Sequence, residues 1–305
     1  MIQVFGHKSP DTDSTGSPLI WAWYLTEVKG TPAEAKLLGE PNTEALFVLK
    51  HWGLEQPAII ADVAAGDQVV IVDTNNPAEL PTGINDATII GIIDHHMLVG
   101  GLKTRTPIDI TLRPLACTAT ILHDLIGADL ARAPKAIKGA MLSCILSDTL
   151  EFRSPTTTPH DRAVAEKLAR DLGVSIPDFA ARLFEAKSDI SAFSDAALLR
   201  MDSKEYTVAG RELRVSVLET TAPKVVLDRK ASLMAAMDGV AKEDGADQVL
   251  LFVIDILREE ATLLVPNDLV KQMAEASFGC KVSGDTVVLP GIMSRKKQII
   301  PALKL

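Results

Sequence analysis

The feature that most constrains the fold is the alternation of short β-branched runs with longer helical patterns through the first half of the 305-residue chain. This alternation is typical of a parallel sheet whose strands are joined by crossover helices. In such a sheet, ligands bind beyond the carboxyl ends of the strands. The strand runs occupy 2–5, 58–61, 69–72 and 88–93, and the helical patterns occupy 14–28, 43–52, 118–126, 135–147, 159–172 and 177–186.

The second half of the chain begins after a polar run at 187–195 that suits a linker between domains. Strand runs follow at 212–218, 248–257, 261–265 and 286–289, with helical patterns at 225–242 and 267–278. The sequence therefore predicts an α/β protein with three parts. They are a larger N-terminal domain at 1–187 with a mainly parallel sheet flanked by helices, a linker or hinge at 188–195, and a smaller C-terminal α/β domain at 196–305 with a mixed sheet.

Composition excludes several classes of partner. A net charge of -9 and few aromatic residues (8 Phe, 3 Trp and 2 Tyr) argue against a protein that coats nucleic acid. No run approaches the ~20 apolar residues of a membrane span, and the chain begins with a strand rather than a signal segment, so we expect a cytoplasmic protein without a membrane partner. Cys117, Cys144 and Cys280 form no CxxC pair, which favours reduced thiols, buried for the first two.

The first strand leads into a turn, Gly-His-Lys-Ser-Pro-Asp-Thr-Asp-Ser at 6–14, that concentrates ionisable groups. His7, Asp11 and Asp13 crowd this short segment. Groups so close together would repel one another or stay solvated unless a positive charge lay between them. A divalent cation is the usual occupant of such a turn.

Three further segments supply acidic or imidazole groups. Asp73 ends an apolar strand, where by itself it is more simply a helix cap. A lone histidine after the next strand would more simply be structural, but His95 and His96 stand side by side behind Asp94 and favour ligands. Asp148 closes an apolar helix, where the macrodipole disfavours it unless a cation lies nearby; a solvated charge at a frayed end is the alternative. The candidate ligands for two hard-to-borderline divalent ions are His7, Asp11, Asp13, Asp73, His95 and Asp148.

A charge count bears on the substrate. Two divalent ions bring +4, which the four aspartates of the set neutralise, so a polyanion needs further cations. An arginine fork matches phosphate oxygens and lysine adds a point charge. The run 295–297 could be a solubilising surface segment. The proline and glycine before it and the isoleucines after it instead favour a loop with a fixed position in the fold. The candidate anion ligands are His96, Lys204, Arg295 and Lys296.

Six motifs, in chain order, resemble the manganese-dependent family II inorganic pyrophosphatases of the DHH phosphoesterase superfamily. They are Gly-His-x-x-x-Asp-x-Asp-Ser, Val-Asp-Thr-Asn, Ile-Asp-His-His, Cys-Thr-Ala-Thr, Ser-Asp-Thr and Ser-Arg-Lys-Lys-Gln. The resemblance runs from 2 to 301. The N-terminal motifs indicate only the superfamily, and the last motif narrows the resemblance to the pyrophosphatases.

The resemblance assigns roles to these residues. It implies two Mn²⁺ ions per subunit, or Co²⁺, with Asp73 bridging them. One ion would be held by His7, Asp11 and Asp73, and the other by Asp13, Asp73, His95 and Asp148. Asp94 would orient a histidine. The residues implied to contact the phosphoryl oxygens, as catalytic and substrate-binding groups, are His96, Lys204, Arg295 and Lys296.

The implied activity is hydrolysis of inorganic pyrophosphate to two orthophosphates, with attack by a deprotonated water that bridges the ions and with Mg²⁺ arriving on the substrate. A homodimer and closure of the two domains over the substrate are implied as well. Short polyphosphates, nucleotides and phosphodiesters are alternative substrates, and a non-enzymatic metal- and phosphate-binding sensor is a third possibility. Where many relatives have His-Asn-Glu after the bridging aspartate, this chain has Thr74-Asn75-Asn76, which bears on the tuning of the site. The chain has no room for a regulatory nucleotide-binding insertion.

Overall fold

The computed structural model describes residues 1–304. The chain divides into two compact units, Met1–Lys187 (unit 1) and Ser188–Leu305 (unit 2). Over the described residues, no helix is both long and apolar enough to cross a membrane.

Unit 1 is built on a sheet whose described strands all run parallel in the order β3-β2-β1-β4-β5-β6. The α/β class predicted from the alternating pattern is confirmed. The strands are β1 (Ile2–Phe5), β2 (Ala33–Leu37), β3 (Ala58–Ile59), β4 (Gln68–Val72), β5 (Thr88–Asp94) and β6 (Asp109–Leu112). The helices are α1 (Thr12–Trp23), α2 (Thr43–Trp52), α3 (Thr118–Ile126), α4 (Lys135–Asp148), α5 (Pro159–Leu172) and α6 (Ile176–Lys187).

The hydrophobic core of unit 1 holds in place the strands whose ends carry the candidate site residues. The apolar strand residues Val4, Val70 and Val72 are buried in one cluster with Ile20 of α1 and Leu142 of α4. Each fully buried aliphatic side chain contributes about 1.5–3 kcal/mol relative to exposure. Because β1, β4 and β5 are parallel neighbours, their carboxyl ends, and the polar residues that follow them, meet at one edge.

Several predicted boundaries differ from the observed ones. Residues 14–28 do not form one α-helix: α1 begins at Thr12 and gives way to a π-helical turn at Tyr24–Val28. Strands β2 and β6 were not predicted, because their sequences, AEAKL and DITL, lack a β-branched apolar run. They become strands because β1 and β5 offer them a ladder of backbone hydrogen bonds.

Unit 2 contains a mixed sheet in the order β11-β10-β9-β8-β7, with a parallel pairing of β8 and β9 and antiparallel pairings elsewhere among its described strands. The predicted mixed sheet is thus confirmed. The strands are β7 (Ser203–Val208), β8 (Arg211–Thr220), β9 (Gln248–Asp255), β10 (Glu260–Leu264) and β11 (Thr286–Pro290). The helices are α7 (Asp195–Met201), α8 (Pro223–Leu227), α9 (Lys230–Glu243), α10 (Asp268–Phe278) and α11 (Ile300–Ala302).

The segment predicted as a linker, 188–195, is attached to unit 2 through Arg229. The helix predicted at 225–242 is broken before α9, and the break places Arg229 as its N-cap residue. The Arg229 guanidinium donates to Ile190 O and Phe193 O, both at 2.9 Å, and to Asp195 Oδ1 at 2.6 Å. The hinge role of 188–195 stays a prediction.

Candidate functional site

The turn after β1 is shaped by Gly6 and the first turn of α1. A Cβ atom on Gly6 would lie 2.1 Å from Ser14 Oγ, so glycine is needed for this close approach. Ser14 Oγ accepts a hydrogen bond from His7 N at 2.8 Å, and Asp11 Oδ1 caps α1 by accepting one from Ser14 N at 2.9 Å. Asp11 Oδ2 lies 3.8 Å from His7 Nε2. The helix cap therefore orients Asp11 so that its second oxygen faces His7.

Asp73 lies between two of the predicted ligands. It follows β4 with a left-handed φ of 60°, a conformation that is costly for a non-glycine residue and recurs at functional sites. Its Oδ2 lies 3.6 Å from His7 Nε2, and its Oδ1 lies 3.5 Å from His95 Nε2. The next helical turn is capped by Asn76, so the simpler interpretation of Asp73 as a cap does not apply.

The two histidines after β5 are oriented by different acceptors. His95 Nδ1 lies 3.1 Å from Leu115 O, to which it can donate, and this leaves Nε2 directed at Asp73. Asp94 Oδ1 accepts from the backbone N of both histidines, at 2.8 and 3.0 Å, and lies 2.9 Å from His96 Nδ1. The hydrogen bond to Asp94 outweighs burial and raises the pKa of His96. The ring that Asp94 orients is therefore that of His96.

Asn75 lies in the segment that the sequence related only in general terms to the tuning of the site. Its Nδ2 donates to Asp94 Oδ2 at 2.6 Å and to Met97 O at 3.0 Å, while its Oδ1 accepts from Val99 N at 2.8 Å. It therefore fixes both Asp94 and the backbone that follows His96. The available signal was an amide two residues beyond Asp73 at the ligand edge of the sheet.

Asp13 is held by the N-terminus of α3. Its Oδ2 accepts from Thr118 N at 2.7 Å and from Cys117 Sγ at 3.1 Å, and Thr118 Oγ1 also donates to Asp73 Oδ1 at 3.1 Å. Burial, followed by the charge of Asp13, raises the pKa of the Cys117 thiol well above its usual range, so the thiol stays protonated. Cys117 and Cys144 are buried free thiols, as predicted.

Asp148 is only partly compensated by the protein. It is the last residue of α4, and its buried Oδ2 has no hydrogen-bond partner within residues 1–304. Burial, together with the charges of Asp13, Asp11 and Asp73, raises the pKa of Asp148 well above its usual range. Burial and the charges of Asp13 and Asp11 do the same for Asp73. A buried, unpaired carboxylate is costly, and a bound cation would remove that cost.

The six predicted metal ligands are distributed over three groups, which also contain His96 and Cys117, and within each group the ligand atoms lie within 4.8 Å of one another. These groups, found among the described residues, are His7, Asp11 and Asp73; Asp73, His95 and His96; and Asp13, Cys117 and Asp148. The first predicted set is thus brought together. The four ligands of the second set do not form one such group among the described residues: Asp73 and His95 lie in one, and Asp13 and Asp148 lie in another. Thr118 donates hydrogen bonds to both Asp13 and Asp73. Asp73 belongs to two groups, and the oxygen and imidazole donors suit Mn²⁺ or Co²⁺.

The remaining predicted residues lie in unit 2. Lys204, Arg295 and Lys296 line one pocket of about 430 Å³. Lys204 lies on β7, and the other two begin a π-helical turn, Arg295–Ile299, that Ser294 caps. Gln298 Oε1 accepts from Met293 N at 2.8 Å and from Ser294 N at 2.9 Å, which explains the glutamine of the last motif. The pocket is a polar, cation-lined cavity of a size that suits phosphate groups.

In metal-free protein, we expect Asp148→Asn to increase the free energy of unfolding near neutral pH. The raised pKa of Asp148 means that stability present below the unfolded value, about 3.9, is lost as the pH rises through the folded value. The gain from the amide should therefore disappear towards pH ~4. Denaturant unfolding of chelated protein across this range measures it.

Asp124→Asn is the matched control, because hydrogen bonds from His160 and His123 lower the pKa of Asp124 despite its burial. It should instead lose stability near neutral pH, and the loss should shrink as the pH falls. Equal pH profiles for the two variants would contradict the raised pKa of Asp148.

Comparisons with known proteins support the family predicted from the motifs. The DHH family N-terminal domain matches residues 1–148, and the DHHA2 domain matches residues 181–305. A probable manganese-dependent inorganic pyrophosphatase from Deinococcus radiodurans is 40% identical over 310 residues, covering 100% of this chain and 98% of the relative. One from Lactobacillus acidophilus is 34% identical over 302 residues, covering 98% and 96%.

Two solved structures resemble this chain. A Methanococcus jannaschii protein assigned to the family II inorganic pyrophosphatases has a TM-score of 0.61 and 32% identity, covering 99% of this chain and 98% of that one. An exopolyphosphatase-related protein from Bacteroides fragilis, with a TM-score of 0.53, 13% identity and coverage of 98% and 89%, shares the fold. The family predicted from the six motifs is confirmed: the chain belongs to the manganese-dependent family II inorganic pyrophosphatases.

Proposed function

We propose that this protein is a hydrolase that converts inorganic pyrophosphate to two orthophosphates at a two-metal centre in unit 1. The observation that carries the proposal is that Asp73 and Asp148 are buried and lie close enough to Asp13 and Asp11 for those charges to raise both pKa values further. One buried Asp148 oxygen is also left unpaired among the described residues. Divalent ions would offset this charge. The manganese-dependent relatives support the choice of metal and the substrate.

Two Mn²⁺ ions, or Co²⁺, would share Asp73. His7 and His95 both direct Nε2 at this carboxylate, which supports its bridging position. One ion would be held by His7, Asp11 and Asp73. The other would be held by Asp13, Asp73, His95 and Asp148.

When bound, the two ions would lower the pKa of a water towards ~7 and so supply the nucleophile at neutral pH. His96 is half-exposed and its Nδ1 is engaged by Asp94, so Nε2 is the atom that can donate to a phosphoryl oxygen. Lys204, Arg295 and Lys296 would neutralise charge on the phosphates, the type of electrostatic stabilisation that contributes most in such reactions.

Mg²⁺ would accompany the substrate, because carboxylates limit the net positive charge of the unit 2 pocket. Asp202 and Glu219 line it together with the three cationic side chains. Closure of the two domains about 188–195 belongs to this proposal, and the cytoplasmic location stays a prediction.

The first test is phosphate release from pyrophosphate with Mn²⁺ or Co²⁺ added. Tripolyphosphate, ATP and a nucleotide phosphodiester are assayed side by side with it. We expect pyrophosphate to have the highest kcat/KM by a wide margin, because two phosphoryl groups match one metal pair and one cationic pocket. A comparable or higher value for any of the other three would overturn the proposed substrate.

A second test separates metal binding from substrate binding. Asp73→Ala removes a ligand from both ions, so we expect it to abolish tight binding of both, measured as Mn²⁺ per chain after gel filtration. Arg295→Ala is the matched control: it should keep its metal while turnover falls about 100-fold or more. Two retained ions in the Asp73 variant would refute the bridging role, and metal loss in the Arg295 variant would indicate a folding role for that loop.

A homodimer is also part of the proposal. Strand β6 is an outer strand of its sheet, its Ile110 side chain is 54% exposed, and an apolar groove of about 370 Å³ lies beside it. An uncovered strand edge can pair with a second copy. Sedimentation velocity should show a dimer that Ile110→Lys weakens, while Ile59→Lys, at an exposed isoleucine of the opposite outer strand, should leave it intact. A monomeric wild-type protein would refute the dimer, and equal effects of the two variants would refute this surface.

A further inference from the structure

The guanidinium of Arg295 is held by Asp202, a residue that the sequence did not single out. Arg295 Nη1 donates to the Asp202 backbone oxygen at 2.8 Å, and Nη2 donates to Asp202 Oδ1 at 2.7 Å. The Arg295 side chain is 14% exposed, whereas the Asp202 side chain is 56% exposed. Both residues line the cationic pocket of unit 2.

The backbone of Asp202 is itself anchored to the sheet. Asp202 is the C-cap of α7, and its carbonyl oxygen also accepts a hydrogen bond from Val217 N of β8 at 2.9 Å. Two residues later, Lys204 pairs with Val215 of the same strand. The Asp202 carbonyl oxygen that binds Arg295 is therefore fixed relative to the backbone of Lys204.

The segment that carries Arg295 is anchored separately. Gln298 binds the backbone N of Met293 and Ser294 through Oε1 and donates from Nε2 to Gly291 O at 2.6 Å. Ser294 caps the turn by accepting from Lys297 N at 3.3 Å. Two internally fixed segments are thus joined across the pocket by the contact between Arg295 and Asp202.

The contact leaves three of the N–H donors of Arg295 unused by Asp202. A guanidinium carries five N–H donors in one plane, and Asp202 occupies two of them. The Nε hydrogen and one hydrogen on each terminal nitrogen remain for an anion. A planar guanidinium binds phosphate oxygens well only in the right orientation. The two acceptors on its terminal nitrogens restrict the Arg295 guanidinium to one plane.

We propose that Asp202 is a positioning residue that orients the Arg295 guanidinium for a phosphate group of the substrate. The inference rests on the proposed function, because it takes Arg295 as a substrate ligand. The carboxylate of Asp202 repels an anion, but more than half of its side chain is exposed and its charge is screened by water. Its orienting effect then exceeds the repulsion.

Two variants separate orientation from charge. Asp202→Asn keeps an oxygen that can accept from Nη2 and removes the charge, so KM for pyrophosphate should equal or fall below the wild-type value. Asp202→Ala removes the oxygen, and loss of one charge-assisted hydrogen bond should lower kcat/KM about tenfold, mainly through KM. Steady-state hydrolysis by the Mn²⁺-loaded full chain measures both.

Arg295→Ala and the double variant complete the cycle. If Asp202 acts through Arg295, Asp202→Ala should have no further effect in the Arg295→Ala background. Asp285→Ala is the matched control. Asp285 is a 45% exposed carboxylate of unit 2 paired with Lys230, outside the residues that line the pocket, and its variant should keep wild-type kinetics.

Three outcomes would overturn the positioning role. Equal losses in the Asn and Ala variants would mean that the charge of Asp202 is what matters. An unchanged or lowered KM for Asp202→Ala would mean that Asp202 is idle or competes with the substrate. An additive loss in the double variant would mean that Asp202 does not act through Arg295.

Failure of the proposed function can be told apart from failure of this inference. If wild-type protein does not hydrolyse pyrophosphate, the proposed function fails, and calorimetric binding of inorganic phosphate then tests Asp202 alone. Affinity should be similar for wild type and Asp202→Asn and about tenfold weaker for Asp202→Ala. Equal affinities of all three proteins would overturn the inference.

Discussion

The constraint on which unit 1 depends is the crowding of carboxylates at the carboxyl edge of its parallel sheet. Asp73 is buried at the end of β4, His7 and His95 direct their Nε2 atoms at it from the neighbouring strand ends, and Asp148 approaches from the end of α4. Parallel neighbours bring His7, Asp73 and His95 together at the strand ends. The repulsion arises because the start of α1 and the end of α4 add the carboxylates of Asp11, Asp13 and Asp148. The surrounding apolar core contributes the stability that allows such charges to be held in place.

The fold satisfies these carboxylates unequally. The pKa of Asp11 is lowered despite its burial, because His7 and the backbone N of Ser14 bind it, and the pKa of Asp94 is lowered by its bonds to His96 and Asn75. Asp73 and Asp148 lack comparable compensation, and burial raises the pKa of each. Hydrogen bonds within the protein therefore compensate the charges of Asp11 and Asp94. The uncompensated negative charge is concentrated on Asp73 and Asp148, the two carboxylates that a pair of divalent ions would stabilise.

In unit 2, too, a charged side chain is oriented by a hydrogen-bonding partner, but the charges of the two groups are opposite to those in unit 1. Here the group to be held is a cation, Arg295, and a carboxylate with a sheet-anchored backbone holds it from one side. Using only part of the donor set orients a planar group without exhausting its capacity to bind an anion. In unit 2 the orienting partner, Asp202, lies outside the six motifs, whereas in unit 1 Asp94, which orients His96, lies within one of them.

The sequence by itself determined the α/β class and the family, since strand ends and motif spacing are local properties. It also predicted the histidines and aspartates that lie in the three ligand groups of unit 1. Tertiary structure alone decided that the polar segments β2, β6 and β7 are strands, because their ladders come from neighbouring strands. It also decided the partners that orient the site. Thr118 binds Asp13 across 105 positions, Asn75 binds Asp94, and Asp202 binds Arg295. Such contacts join segments far apart in the chain, and hydrogen bonds between them exist only once the sheets have formed.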